Sequence, residues 1–173
     1  MKILVSVASK HGSTAGIGSA IAATLREEGH DVELLAPQAV RDVTRYDAVI
    51  LGSGVYAGRW IGSAKEFAEK NAGALRARPV WLLSSGPLGE TPKPAEVPAD
   101  AVKMTKLLNP RGHRVFAGAL ALDEMGFGER TIIKMVKAPY GDFRDWDEIR
   151  TWAHEIGQEL NRLPTPLAEP IPA

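Results

Sequence analysis

Cysteine is missing from this chain altogether. That excludes disulfides, thiolate metal sites and cysteine nucleophiles, so any redox chemistry must come from a bound cofactor. Charge of one sign is missing too: 21 Lys and Arg stand against 21 Asp and Glu, a formal net charge of +0. Nothing in that balance points to nucleic acid. No apolar run is long enough to span a bilayer. The start of the chain reads as a core strand rather than a signal peptide, because a short apolar run follows a single Lys and no cleavage pattern comes after it. The expected location is therefore cytoplasmic. Two phosphate fingerprints are also absent, since no G-x-x-x-x-G-K-[ST] and no G-x-G-x-x-G follows the first strand. What remains is 173 residues, 45% hydrophobic and 24% charged, the composition of one globular domain with a substantial core.

The chain is organised around its first segment. Lys2 to Ala8 is nearly continuous in apolar residues, as a parallel strand covered on both faces should be. It meets a polar loop, Ser9-Lys10-His11-Gly12-Ser13-Thr14, and then a helical pattern to Glu28 with Ile17, Ile21, Ala22 and Leu25 on one side. Gly29 closes that helix. Strand, hydroxyl-rich loop and helix together build an anion site. The first helical turn leaves backbone N–H groups unpaired, and the helix dipole favours negative charge there. Ser9, Ser13 and Thr14 add hydroxyls, and Gly12 lets the backbone come close to a ligand. Holding phosphate by hydroxyls and amides suits a phosphomonoester that is bound and kept.

This loop resembles the FMN-phosphate loop of flavodoxins, with His11 where those proteins usually carry Thr or Ser. The resemblance implies a doubly wound α/β fold, a five-stranded parallel sheet of order 2-1-3-4-5 with helices on both faces. In that order the ligand cleft lies between the first and third strands.

The rest of the chain supplies the remaining parts. Asp31 to Leu35 reads as an edge strand, Pro37 to Arg45 as a polar connection, and Ala48 to Ser53 as the third strand. A second loop follows, Gly52-Ser53-Gly54-Val55-Tyr56-Ala57-Gly58-Arg59-Trp60, similar to the second flavin loop of the family. Tyr56 is the first candidate to lie against the flavin ring. Trp60 is the second, with ordinary core packing as its equal alternative. Arg59 reads as a solvated side chain or as a partner for a carboxylate.

A helix from Ile61 to Asn71 leads to a fourth strand, Val80 to Ser84. The third loop, Ser84-Ser85-Gly86-Pro87-Leu88-Gly89-Glu90, is where flavodoxin-like proteins complete the ring site. It carries no aromatic, unlike the electron carriers, which implies a flavin face open to a reacting molecule. Thr91 to Pro98 holds prolines at 92, 94 and 98 and cannot be regular structure. A helix from Ala99 to Leu108 and a fifth strand from His113 to Leu122 follow.

Asp123 to Tyr140 is an insertion. Its Ile132, Ile133, Met135 and Val136 sit among Arg130, Lys134 and Lys137. This segment reads either as a helix packed on the domain or as an interfacial or substrate-gating element. The final helix opens at Asp145, with Glu148 as capping-box partner and Ile149, Trp152, Ala153, Ile156 and Leu160 as its core stripe. The domain is expected over residues 1–163, with a Pro-rich, disordered tail over 164–173.

The Ser9–Thr14 loop, the G-S-x-x-Y-x-G-x-W segment and the late G-D-F-R-D-W stretch at Gly141 to Trp146 together resemble the flavodoxin-type menaquinone-dependent protoporphyrinogen IX dehydrogenases. That resemblance implies FMN as cofactor, bound through Ser9 to Thr14, Ser53 to Gly58, Trp60 and Ser84 to Gly89. It also implies oxidation of a porphyrinogen with electrons passed to quinone. Arg59, Arg130, Lys134 and Lys137 are then candidates to meet propionates. Catalytic residues are not assigned, because the flavin carries the redox chemistry, and no metal is expected. The competing class is an electron carrier between protein partners; the neutral net charge and the third loop favour the enzyme. Peripheral contact with the inner face of a membrane stays open, through the 125–137 segment.

Overall fold

The computed structural model describes residues 1–86, 97–120 and 141–164. Its centre is the first strand, β1 (Lys2–Ala8). Ile3, Val5 and Val7 point to one face of the sheet, and Leu4 and Ala8 to the other; all five are buried. A strand buried on both faces needs helices on both faces, and the chain supplies them. Helices α1 (Ser13–Glu27) and α5 (Trp146–Arg162) cover the first face with Ile17, Ile21, Leu25, Ile149, Trp152, Ile156 and Leu160. Helices α2 (Gly62–Lys70), α3 (Ala72–Arg76) and α4 (Ala99–Leu108) cover the second with Phe67, Leu75, Met104 and Leu108. Each such aliphatic or aromatic side chain contributes about 1.5–3 kcal/mol on full burial.

Strands β2 (Asp31–Leu35), β3 (Ala48–Tyr56), β5 (Val80–Ser85) and β6 (Gly112–Phe116) complete a parallel sheet of order β2-β1-β3-β5-β6. This is the expected spatial order 2-1-3-4-5, relabelled because a short strand intervenes. That strand is β4 (Arg59–Trp60), which pairs antiparallel with the end of β3 in the register Val55 to Trp60 and Tyr56 to Arg59.

Three boundaries differ from the sequence reading. The third strand runs on through Gly54 to Tyr56, because β4 pairs with its end. The helix expected over 61–71 is α2, and a further short helix, α3, follows it directly after Asn71; the Asn71 side chain donates to the Phe67 carbonyl and its own N–H closes on the same residue. The fifth strand stops at Phe116. A separate two-residue strand, β7 (Ala119–Leu120), pairs antiparallel with β8 (Gly141–Asp142). The break occurs where Gly118 comes so close to Gly86 that an added Cβ would sit 3.4 Å from the Gly86 Cα. The expected insertion over 123–140 and all of the expected tail beyond Pro164 lie outside the described residues.

The final helix begins as its sequence foretold. The Asp145 carboxylate accepts from the Asp147 and Glu148 amides at 3.0 and 2.9 Å, and both acidic residues stand in the first turn.

Candidate functional site

The carboxyl ends of β1, β3 and β5 bring three loops to one edge of the sheet. The first loop ends at Gly12, which holds φ +74° as the N-cap residue of α1. No side chain caps this helix, and no acidic residue occupies its first turn. Its N-terminus is therefore left electropositive. Thr14 is buried, 2% exposed, just inside that turn. A Cβ on Gly54 would stand 3.0 Å from the Thr14 hydroxyl and 3.1 Å from the Tyr56 ring. A glycine at 54 is thus what leaves room for hydroxyl and ring together.

Tyr56 is the exposed aromatic of the site, at 37%. The His11 ring meets it edge-on at 5.9 Å between centroids, and the Lys10 ammonium stands 5.8 Å from its centre. The β3–β4 turn behind it is Ala57-Gly58, both at positive φ (48° and 75°), the conformation a two-residue hairpin requires.

A cleft of about 220 Å³ opens among these loops. It is lined by His11, Ser13, Thr14, Val55, Tyr56, Ala57, Ser85 and Gly86, and by Gly118, Ala119 and Leu120. The first eight are candidates from the sequence. The last three were missed; the small-residue run Ala117-Gly118-Ala119 after an apolar strand was the available signal. Ser9 lies on the other side of its loop, facing a second cavity of about 380 Å³ shared with Ser19, Gln38 and Ser63. Its Oγ is buried and has no hydrogen-bond partner among the described residues. The Ser6 Oγ shares that condition, but inside the sheet, whereas Ser9 stands at the ligand edge.

Other candidates are committed to holding the loops. Ser53 is fully buried; its hydroxyl donates to the Gly54 carbonyl at 2.8 Å and accepts from the Ile61 amide at 2.9 Å. Trp60, 2% exposed, packs in the core, and its Nε1 donates to the Ser84 hydroxyl at 2.8 Å. Of the two readings of Trp60, its placement is that of core packing. Ser84 Oγ also lies 2.9 Å from His113 Nε2. Burial pushes the His113 imidazole below its usual range. Asp100 anchors the hairpin from α4: its carboxylate accepts from the Trp60 amide and the Lys65 ammonium, each at 3.1 Å, with Arg59 at 3.6 Å. Burial alone would raise that carboxyl, but the Lys65 and Trp60 hydrogen bonds and the two cations hold it below the usual range. Pro87, Leu88 and Gly89, with Arg130, Lys134 and Lys137, lie outside the described residues.

The arrangement can hold a phosphate monoester at α1 and a flat ring system beside Tyr56, with Gly86 and Gly118 lining the same cleft. The comparison that decides the family is the match of a flavodoxin domain model to residues 4–147. The chain belongs to the flavodoxin domain family. Membership indicates FMN as its cofactor.

Solved structures agree on the fold. A flavodoxin from the domain Archaea aligns at TM-score 0.61 and 13% identity, over 94% of this chain and 100% of its own. Flavodoxin 2 from Bacillus cereus aligns at TM-score 0.60 and 18% identity, over 92% of this chain and 99% of its own. The rubredoxin oxygen:oxidoreductase of Desulfovibrio gigas aligns at TM-score 0.61 and 13% identity, over 92% of this chain but 36% of that larger protein. Comparison with curated proteins returned no match.

The residues present fit the cofactor. The buried Thr14 hydroxyl and a helix start without a capping side chain suit the phosphate. The glycine at 54 lets the Thr14 hydroxyl and the Tyr56 ring stand side by side there.

Proposed function

We propose that this flavodoxin domain is an FMN-dependent oxidoreductase whose flavin meets a small reduced substrate at an open cleft. The observation that carries the reading is the conjunction at α1: an electropositive helix start with no capping side chain, the buried hydroxyl of Thr14, and an aromatic, Tyr56, lining the same cleft. FMN, when bound, supplies the electron acceptance and release. The protein's own share is to bind and orient. Gly12 and Thr14 hold the phosphate, Tyr56 flanks the ring, and Ser85, Gly86 and Gly118 present small surface and backbone to its edge. Arg59, largely exposed in the hairpin and 3.6 Å from Asp100, is a candidate to meet a substrate carboxylate.

The substrate class proposed is a porphyrinogen, with quinone as acceptor. Its support is the joint resemblance of the Ser9–Thr14 loop, the Ser53–Trp60 segment and the Gly141–Trp146 stretch to the quinone-linked dehydrogenases. The second reading is an electron carrier between proteins. It is favoured by the fold likeness to stand-alone flavodoxins that match over their full length.

The test uses the FMN-loaded, desalted protein. Protoporphyrinogen IX and a menaquinone analogue are added and porphyrin absorbance is followed without oxygen. Porphyrin formed only with both protein and quinone supports the enzyme. Reduced protein that instead passes electrons to a protein acceptor such as a cytochrome, with no porphyrin formed, moves the carrier ahead.

A further inference from the structure

The stretch Gly141-Asp142-Phe143-Arg144-Asp145-Trp146 has no part in the cleft lining, yet nearly every residue in it is tied to the phosphate loop or its supports. The Phe143 amide donates to the Gly118 carbonyl at 3.1 Å. Asp142 holds Arg144 through two parallel hydrogen bonds, from Nε at 2.8 Å and Nη2 at 2.6 Å. The Arg144 guanidinium stacks on Trp146, 4.4 Å from the ring centre. Asp145 caps α5. So fixed, Arg144 is 17% exposed and donates from Nη1 to the Ser13 carbonyl at 3.3 Å. It lies against the first turn of α1, since a Cβ on Gly16 would stand 2.6 Å from Nη1. The Ser13 hydroxyl accepts from the Ala119 amide at 2.8 Å. Ser13 is therefore gripped through its side chain from β7 and through its carbonyl from Arg144.

Held by Asp142 through two hydrogen bonds and stacked on Trp146, Arg144 has little side-chain freedom to lose in bracing the start of α1.

We propose that Arg144 is a positioning residue for the phosphate of the bound flavin, bracing Ser13 at the start of α1. The proposal rests on the FMN reading above. It requires the phosphate half of the cofactor, and not its ring, to depend on Arg144.

The experiment compares FMN with riboflavin, which lacks the phosphate, by flavin-fluorescence titration of the full chain. Arg144→Ala is expected to weaken FMN by roughly tenfold while changing riboflavin less than about twofold. Gly16→Ala gives an independent route, because its new methyl group displaces the guanidinium while improving helix propensity. It should show the same FMN-selective loss with no fall in melting temperature. Equal losses for both flavins, or none for either, would overturn the role of Arg144 while leaving FMN binding standing. A wild type that binds neither flavin would overturn the FMN reading itself, and this proposal with it.

Discussion

Single residues at this site divide into those that line the cleft and those that hold the lining in place. Gly54 shows how narrow the margin is. Gly54→Ala places a methyl group 3.0 Å from the Thr14 hydroxyl and 3.1 Å from the Tyr56 ring, so one of the two must move. FMN affinity is expected to fall by about tenfold, read by fluorescence titration. Ser84 belongs to the other class. Ser84→Ala strips the acceptor from the buried Trp60 Nε1 and should cost about 1–3 kcal/mol in urea unfolding. Eight of the cleft's lining residues were legible in the sequence, because hydroxyls and glycines directly after an apolar strand mark the loops at the sheet's carboxyl edge. The division of labour was not. Whether Trp60 points to core or cleft depends on how β3 pairs with β4, and Gly54 to Tyr56 carries no alternation that would announce a strand.

Among elements, the central strands and the helices over them were readable from hydrophobic period alone, since each is buried on a face its own sequence defines. The β7–β8 ribbon was not. Its two strands are two residues each and lie on either side of residues 121–140, so no local pattern reveals the pairing. Arg144 was missed for the same reason: nothing near it in sequence says that it will lie on α1. The cap of α5 was legible, and it gives a clean contrast. Asp145→Ala removes the acceptor of two first-turn amides and should destabilise the domain by about 0.5–2 kcal/mol by chemical denaturation. Because Asp145 makes no contact with the phosphate loop, FMN and riboflavin affinities should shift together and little.

At the scale of the whole molecule, two half-buried or buried imidazoles tie stability to pH. Burial lowers His113, and burial followed by the charge of the chain's N-terminus lowers His30, both from an ordinary value of 6.5. The unfolded chain therefore takes up protons that the folded chain resists. The stability present above about pH 6.5 is lost as pH falls through the lowered folded-state values. Melting temperature should drop between about pH 7 and pH 5, and His113→Gln should flatten part of that drop. An unchanged melting temperature across this range would contradict the burial of both rings. No helix among the described residues is long and apolar enough to cross a membrane. The central claim is that the Ser9–Thr14 loop and α1 hold a flavin by its phosphate. Its most direct test is the absorbance spectrum of the wild-type protein after mixing with FMN and desalting, beside a parallel sample mixed with riboflavin. The account predicts flavin retained in near one-to-one ratio from FMN and largely lost from riboflavin. Colourless protein from both samples would contradict it.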